Sequence, residues 1–368
     1  MDNEKALKNM INAKVVAKMA NELIKHYPSF DGKLFIKDCA ALKNLELKQR
    51  VLLVTKCLAD QLPTSYAKSI EILNLVMRSG ELKGFELWPF SEYISQYGLD
   101  DFDRSLNSMY LLTQYFTAEF AVRPFLIKDH KAVLKILSKW AIDSNFHVRR
   151  WVSEGTRPLL PWGMKVQLFA RDPSYTLPLL DKLKFDSELY VRKSVANHLN
   201  DLAKTHPEII VTTLKSWQKN CPIEHRINLM WIIRHSLRTL IKKGYPAALE
   251  LMGASLDLKV KFKNFMISQK KMKISDVLKM QFEIESVAEK SQQLIIDYLI
   301  YYVKSNGKLA PKVYKLKSLK LEPKEKVIIS KNHSLKPITT MKYFAGEHRL
   351  AIKINGKIYQ ELLWEFSL

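Results

Sequence analysis

The chain has 368 residues, 47% of them apolar, and carries 59 Lys and Arg against 37 Asp and Glu for a formal net charge of +22. That apolar share excludes a disordered polyelectrolyte, and the length admits two domains or one extended repeat array. The charge favours a polyanionic partner, nucleic acid or an acidic membrane surface, over a solubilising lysine coat.

The start, MDNEKALKNMINAKVV, has early acids and no apolar run of signal-peptide length. No window approaches the ~18 uninterrupted apolar residues of a membrane span, so no membrane role is expected. Cys39, Cys57 and Cys221 are odd in number and far apart, which suits reduced thiols in a cytoplasm. The histidines and cysteines show no metal-ligand spacing, so no metal is expected.

Residues 1–256 read as about fourteen short helices. Leu62-Pro63-Thr64 and His206-Pro207-Glu208 mark helix starts, and Leu47, Val51, Val54 and Leu58 form one apolar stripe. DSNFHVRRWVSEGTR (143–157) aligns with DSELYVRKSVANHLN (186–200) 43 residues on, and WIIRHSLRTL (231–240) with YVRKSVANHL (190–199). A period near 40–47 with D…VR points to HEAT-like helical repeats stacked as a solenoid. Arginines at the helix starts, Arg149 and Arg192, are expected to tie neighbouring repeats together.

From residue 257 the period changes. In LKMQFEIE (278–285), Leu278, Met280, Phe282 and Ile284 alternate with Lys279, Gln281, Glu283 and Glu285. LIIDYLIYYV, KVYKLKSL and EKVIIS follow as strands, and AIKI and KIYQ flank Asn355-Gly356, a hairpin signal. Seven or so strands in residues 257–368 predict an immunoglobulin-like β-sandwich. The expected fold is therefore mainly α: a HEAT-like solenoid over 1–256, then an all-β sandwich over 257–368. The β part holds 22 Lys and Arg against 11 Asp and Glu, a net +11 and a denser positive charge than the larger helical part. Nearly all of it is lysine, which suits loose phosphate contact.

HVRRWVSEGTRPLLPWG (147–163) concentrates charge and aromatic residues in a corner between repeats. A helix over 147–157 would put Arg150, Glu154 and Arg157 at i, i+4 and i+7, a ladder holding the carboxylate ionised and fixed. Gly155 would admit a close backbone. Pro158 would end the helix, and Pro161 would start the next with Trp162 in its first turn. Trp151 points elsewhere and is expected in the core.

VRRWVSEGTRPLLPW resembles the signature of DNA alkylation repair glycosylases built on HEAT-like repeats, especially the C-type (AlkC) branch that carries an immunoglobulin-like domain. The likeness extends through YPSFDGKLF, residues 97–126, YVRKSVANHLNDLAKTHP and WIIRHSLRTLIKKG. In the tail it covers VAEKSQQLIIDYLIYYVKSNGKLAPKVYKLK and HSLKPITTMKYFAGEHRLAIKINGK. The resemblance implies hydrolysis of the N-glycosidic bond of cationic methylated bases in duplex DNA, without base flipping and leaving an abasic site. The expected substrates are of the 3-methyladenine, 3-methylcytosine and 1-methyladenine class. No cofactor and a monomer acting in the bacterial cytosol or nucleoid are expected, and the sequence shows no helix-hairpin-helix element with a catalytic lysine or aspartate, so no Schiff-base chemistry is expected.

Carried onto this chain, the family pattern places Glu154 as the main electrostatic and water-orienting group. Glu119 and Asp201 assist, and Trp162 lies against the deoxyribose or the damaged nucleotide. Arg150 and Arg157 become phosphate contacts or carboxylate positioners; Arg123, Arg192, Lys193 and His147 join them as DNA-binding candidates. The chain departs from the pattern at Leu159, where a second arginine is usual, and at Met341 and Ala345, where arginine and proline are common. The competing functions are a non-catalytic nucleic-acid-binding scaffold and a protein-interaction scaffold on the same repeats.

Overall fold

The structure, a computed structural model, describes residues 7–338 and 341–368. The chain forms two compact units: one takes the chain as far as His206 together with Asn220–Ser236, the other Pro207–Lys219 and Leu237–Leu368. Sixteen α-helices precede eight strands among the described residues. No helix of the described residues is long and apolar enough to cross a membrane.

In the first unit, local chemistry sets the helix starts. Asn12, Asp31, Asp101, Asp129 and Asn145 each accept a hydrogen bond from amides of the turn they precede, satisfying donors that a helix cannot satisfy itself. The predicted stripe in the helix Leu47–Gln61 is buried at Val51, Val54 and Leu58. The helix Leu189–Leu202 packs against both Phe146–Gly155 and Arg226–Ser236. The repeat is visible in its hydrogen bonds. Arg149 Nη1 donates to the carbonyls of Asp143 and Ser144 at 2.8 and 2.9 Å; Arg192 Nη1 donates to those of Asp186 and Ser187 at 2.9 and 2.5 Å. Arg149 also forks onto the Asp186 carboxylate at 2.6 and 3.1 Å, joining one repeat to the next. Arg192, expected also at DNA, is half-buried and uses its Nη1 in this architecture.

The third repeat copy is displaced from its expected start. WIIRHSLRTL runs across Leu237, which separates the helices Arg226–Ser236 and Arg238–Lys243, so Trp231 lies inside a helix rather than at its beginning. Apolar similarity along the helix had offset the register.

In the second unit the strands are β1 (Val260–Ile267), β2 (Lys271–Lys273), β3 (Val277–Ser286), β4 (Gln292–Val303), β5 (Leu309–Leu321), β6 (Lys326–Ser334), β7 (Gly346–Ile354) and β8 (Lys357–Ser367). They form a three-stranded sheet, β1-β3-β6, and a five-stranded sheet, β2-β8-β7-β4-β5. Inward residues of both sheets, including Leu278, Met280, Phe282, Ile284, Ile296, Tyr298, Leu350 and Trp364, share one core. β1 and β2 lay outside the predicted strands: β1 carries an irregularity between Lys263 and Met266 that interrupts alternation, and β2 is three residues long. Met341 pairs with Ile338 and packs on the sandwich core, whereas Ala345 is exposed; residues 339 and 340 of the same loop lie outside the described residues.

Asn355 and Gly356 join β7 to β8 with φ of 44° and 84°, the left-handed pair of a tight hairpin turn. Asn355 is also stitched inward: its Oδ1 accepts from Ile295 N at 2.7 Å and its Nδ2 donates to Ser255 O at 2.8 Å. A Cβ on Gly356 would lie 2.9 Å from the Cα of Gly244, which terminates the helix Arg238–Lys243. Gly356→Ala is therefore expected to lower unfolding stability by about 1–3 kcal/mol. Gly253→Ala, at a left-handed position with nothing within 4 Å of the added Cβ, should cost less in the same thermal melts.

Candidate active site

The helix Phe146–Gly155 starts at Asn145, whose Oδ1 accepts from His147 N at 2.9 Å. Its Val148, Trp151 and Val152 are fully buried, and Trp151 lies 5.2 Å from the Trp140 ring, in the core as expected. Arg150 and Glu154 lie on the flank of the helix away from Val148 and Val152. At the helix end, a Cβ on Gly155 would meet Val122 Cγ1 at 2.9 Å; glycine allows the helix Val122–Lys128 to approach. From that helix Arg123 donates through Nη1 to Gly155 O at 3.0 Å and through Nε to Met164 O, clipping both ends of the loop between. Burial, reinforced by the neighbouring Arg157, depresses the Arg123 pKa to about 10. Arg123 is 0% exposed, so it shapes the loop; the expectation that it binds DNA is corrected by its burial.

Three carboxylates from separate segments converge beside this helix. Glu119, in the turn before Val122–Lys128, accepts from Thr117 Oγ1 at 2.5 Å and pairs with Arg150 Nη1. Arg150 Nη2 stands 3.7 Å from Glu154 Oε1, so one guanidinium joins both acids. Glu154 Oε1 accepts from Arg157 Nη1 at 2.6 Å, and Arg157 reaches across to Asp201 Oδ2 at 2.9 Å through Nε and 2.8 Å through Nη2. Asp201 Oδ1 takes Lys204 Nζ at 3.1 Å. The sequence Glu119–Arg150–Glu154–Arg157–Asp201–Lys204 thus alternates in sign. Glu119, Glu154, Arg157 and Asp201 are all buried. Burial opposes the Arg157 charge, but Glu154 and Asp201 outweigh it and raise its pKa above the ordinary arginine value.

The expected i, i+4, i+7 ladder closes by a different route. The helix stops at Gly155, and a turn with Arg157 N on Glu154 O at 3.3 Å brings Arg157 back to the acid. The loop that follows contains no helix start: Pro158–Gly163 consists of turns, and the next helix is Gln167–Arg171. Trp162 is held there at φ 62° and is 67% exposed. The expectation of a helical first turn fails because Pro161 and left-handed Trp162 are the central pair of a tight turn that Gly163 N closes on Leu160 O at 3.2 Å. A non-glycine in that region, presenting an indole to solvent, is strain of the kind found at working sites. Trp162 also borders a cleft of about 670 Å³ with Trp88, Leu47, Lys8 and Lys48, whereas none of the three carboxylates lines it.

His147 is half-buried, 4.1 Å from the Phe146 ring, with its pKa lowered by burial and then by Arg150. Lys193 is exposed on the helix Leu189–Leu202. Arg150, Arg157, Glu119, Glu154 and Asp201 are therefore brought together. Trp162 stands out on the adjoining loop, and Arg123 and Arg192 serve the scaffold.

A family model described as "Uncharacterised protein YhaZ, C-terminal Ig-like domain" matches residues 261–368. An uncharacterized protein YhaZ of Bacillus subtilis is 36% identical over 359 residues, covering 97% of this chain and 98% of that one. The Pseudomonas fluorescens alkylpurine DNA glycosylase AlkC, solved on DNA containing an abasic site analogue, is 37% identical, with a TM-score of 0.92 over 99% of this chain and 100% of that chain. The chain belongs to the AlkC family.

In this AlkC-family chain the structure adds residues that the sequence reading passed over. Tyr190 and Ser194 lie on one face of the helix Leu189–Leu202 with Asp201, at i, i+4 and i+11. The Arg150 guanidinium sits 4.9 Å over the Tyr190 ring. Ser194 Oγ donates to Glu154 Oε2 at 2.6 Å. His198, 0% exposed, donates from Nδ1 to Ser153 O at 3.0 Å. The sequence signal for them is the helical stripe that ends on Asp201.

Removing Arg157 would leave two buried acids short of a cation. Arg157→Met is expected to lower stability by about 3–5 kcal/mol in urea unfolding. His198 titrates at 6.5 when free of the fold, and its folded value is pushed to about 3 by burial. The unfolded chain therefore binds the extra proton first. The contribution of His198 is intact above pH 6.5 and is lost as pH falls towards 3. His198→Asn should flatten the fall in unfolding free energy across that window.

Proposed function

We propose that this AlkC-family chain is a monofunctional DNA glycosylase that releases cationic methylated bases from duplex DNA without flipping them, leaving an abasic site. The observation that carries the reading is the alternation of three buried acids with Arg150 and Arg157, followed along the chain by an exposed, left-handed Trp162. The substrates are of the 3-methyladenine, 3-methylcytosine and 1-methyladenine class, whose ring charge already makes them good leaving groups.

The chemistry asks little proton donation of the protein. As the C1′–N bond breaks, its electron pair quenches the ring charge and positive charge develops on the sugar. Glu154 stabilises that charge and orients a water whose oxygen bonds C1′; the water's proton passes to the carboxylate and on to solvent. Glu119 and Asp201 add negative potential through the arginines they share with Glu154. The Trp162 indole lies against the deoxyribose. Arg150 and Arg157 serve as carboxylate positioners, since both are committed to acids. Lys193 and His147 face phosphates, and the lysines of the sandwich add affinity that falls as salt rises. The active form is a monomer without metal or cofactor, working in the bacterial cytosol or nucleoid as a helical domain over 1–256 and a β domain over 257–368.

The relevant measurement is chromatographic detection of bases freed from methylated duplex DNA. Wild type is expected to release them, and Glu154→Gln to be slower by about a hundredfold or more. Salt-sensitive DNA binding with no base released by wild type would instead identify a non-catalytic scaffold.

A further inference from the structure

We infer that Ser194 is a positioning residue for Glu154, supplied by the neighbouring repeat; this rests on the glycosylase reading for its catalytic consequence. Ser194 is 2% exposed and its hydroxyl is 2.6 Å from Glu154 Oε2 and 3.0 Å from Ser153 Oγ. A hydroxyl carries one hydrogen, and a carboxylate in an ion pair only accepts. The short contact therefore assigns the Ser194 hydrogen to Glu154, and the Ser153 hydroxyl donates into the Ser194 oxygen behind it. The result is a directed relay, Ser153 to Ser194 to Glu154 Oε2.

The two carboxylate oxygens then have different holders. Oε1 is held by Arg157, with Arg150 at 3.7 Å; Oε2 is held by Ser194. A guanidinium alone lets a carboxylate rock about its Cγ–Cδ bond. A second donor on the other oxygen fixes the plane, and with it the direction of the lone pairs left for a water. The backbone behind this relay is also fixed. The Ser153 carbonyl receives His198 Nδ1, from the turn after Ser194 on the same helix, so the two helices are pinned on both sides of Glu154. Along that helix Tyr190 serves Arg150, Ser194 serves Glu154 and Asp201 serves Arg157. One face of one repeat thus orients the acid presented by another.

The test compares Ser194→Ala, Ser194→Thr and Ser153→Ala with wild type in single-turnover base release and in binding to DNA containing an abasic-site analogue, alongside thermal melts. Ser194→Ala should slow base release about ten- to a hundredfold, as expected for a lost hydrogen bond to a charged group, with DNA affinity unchanged and a melting temperature lowered by only a few degrees that Ser194→Thr restores. Ser194→Thr should restore the rate to within a fewfold, and Ser153→Ala should lose only a fewfold. Crystal structures of wild type and Ser194→Ala read the same proposal without turnover. Glu154 should swing off its plane in the variant and stay in it in wild type. Unchanged release by Ser194→Ala with an unmoved Glu154 overturns the assignment, as does a loss matched by falls in melting temperature and affinity that threonine leaves unrepaired. A wild type that frees no base defeats the glycosylase reading instead, and the Glu154 plane in the crystals then decides the positioning claim by itself.

Discussion

An ionised carboxylate is costly to bury unless a cation or hydrogen-bond donors meet it, and here that constraint links the helical unit across its repeats. Arg157 holds Glu154 at 2.6 Å and Asp201 at 2.8 Å, two acids that lie 47 positions apart in the chain. Arg150 carries the same logic to Glu119. Each guanidinium is shared, so neither acid can move without disturbing the next. Desolvation makes such an assembly costly to create and costlier to break. The helices Phe146–Gly155 and Leu189–Leu202 are held in register by charge as well as by the apolar side chains between them.

That rigidity contrasts with the loop that leaves it. Arg123, wholly buried, fastens the helix end at Gly155 and the chain at Met164, and between these points the backbone turns through Pro158–Gly163. Trp162 projects from the middle of the span in a conformation that a free tryptophan avoids. A fixed acidic cluster and a presented indole thus come from the two ends of one short stretch of chain.

Much of this was legible beforehand because it is local or periodic. Leu278, Met280, Phe282 and Ile284 alternate in the sequence and are buried together in the sandwich; Asn355-Gly356 reads as a tight turn and is one. The pairing of VRR with VRK segments 43 residues apart recurs in the carbonyl contacts of Arg149 and Arg192. Irregular segments are not legible in this way: β1 is interrupted at Lys263/Met266, WIIRHSLRTL spans two helices, and Pro161 resembles a helix start although its neighbour adopts positive φ.

The sequence by itself determined the helical and β halves, the repeat, and Glu119, Glu154, Asp201 and Trp162 as the residues to watch, because periodicity and motif are properties of neighbours along the chain. Tertiary structure alone decided which cation meets which acid, that Arg123 and Arg192 build the scaffold, and that Ser194 stands at Glu154 Oε2. Those outcomes depend on the packing of helices far apart in sequence, where a difference of one helical turn exchanges every partner.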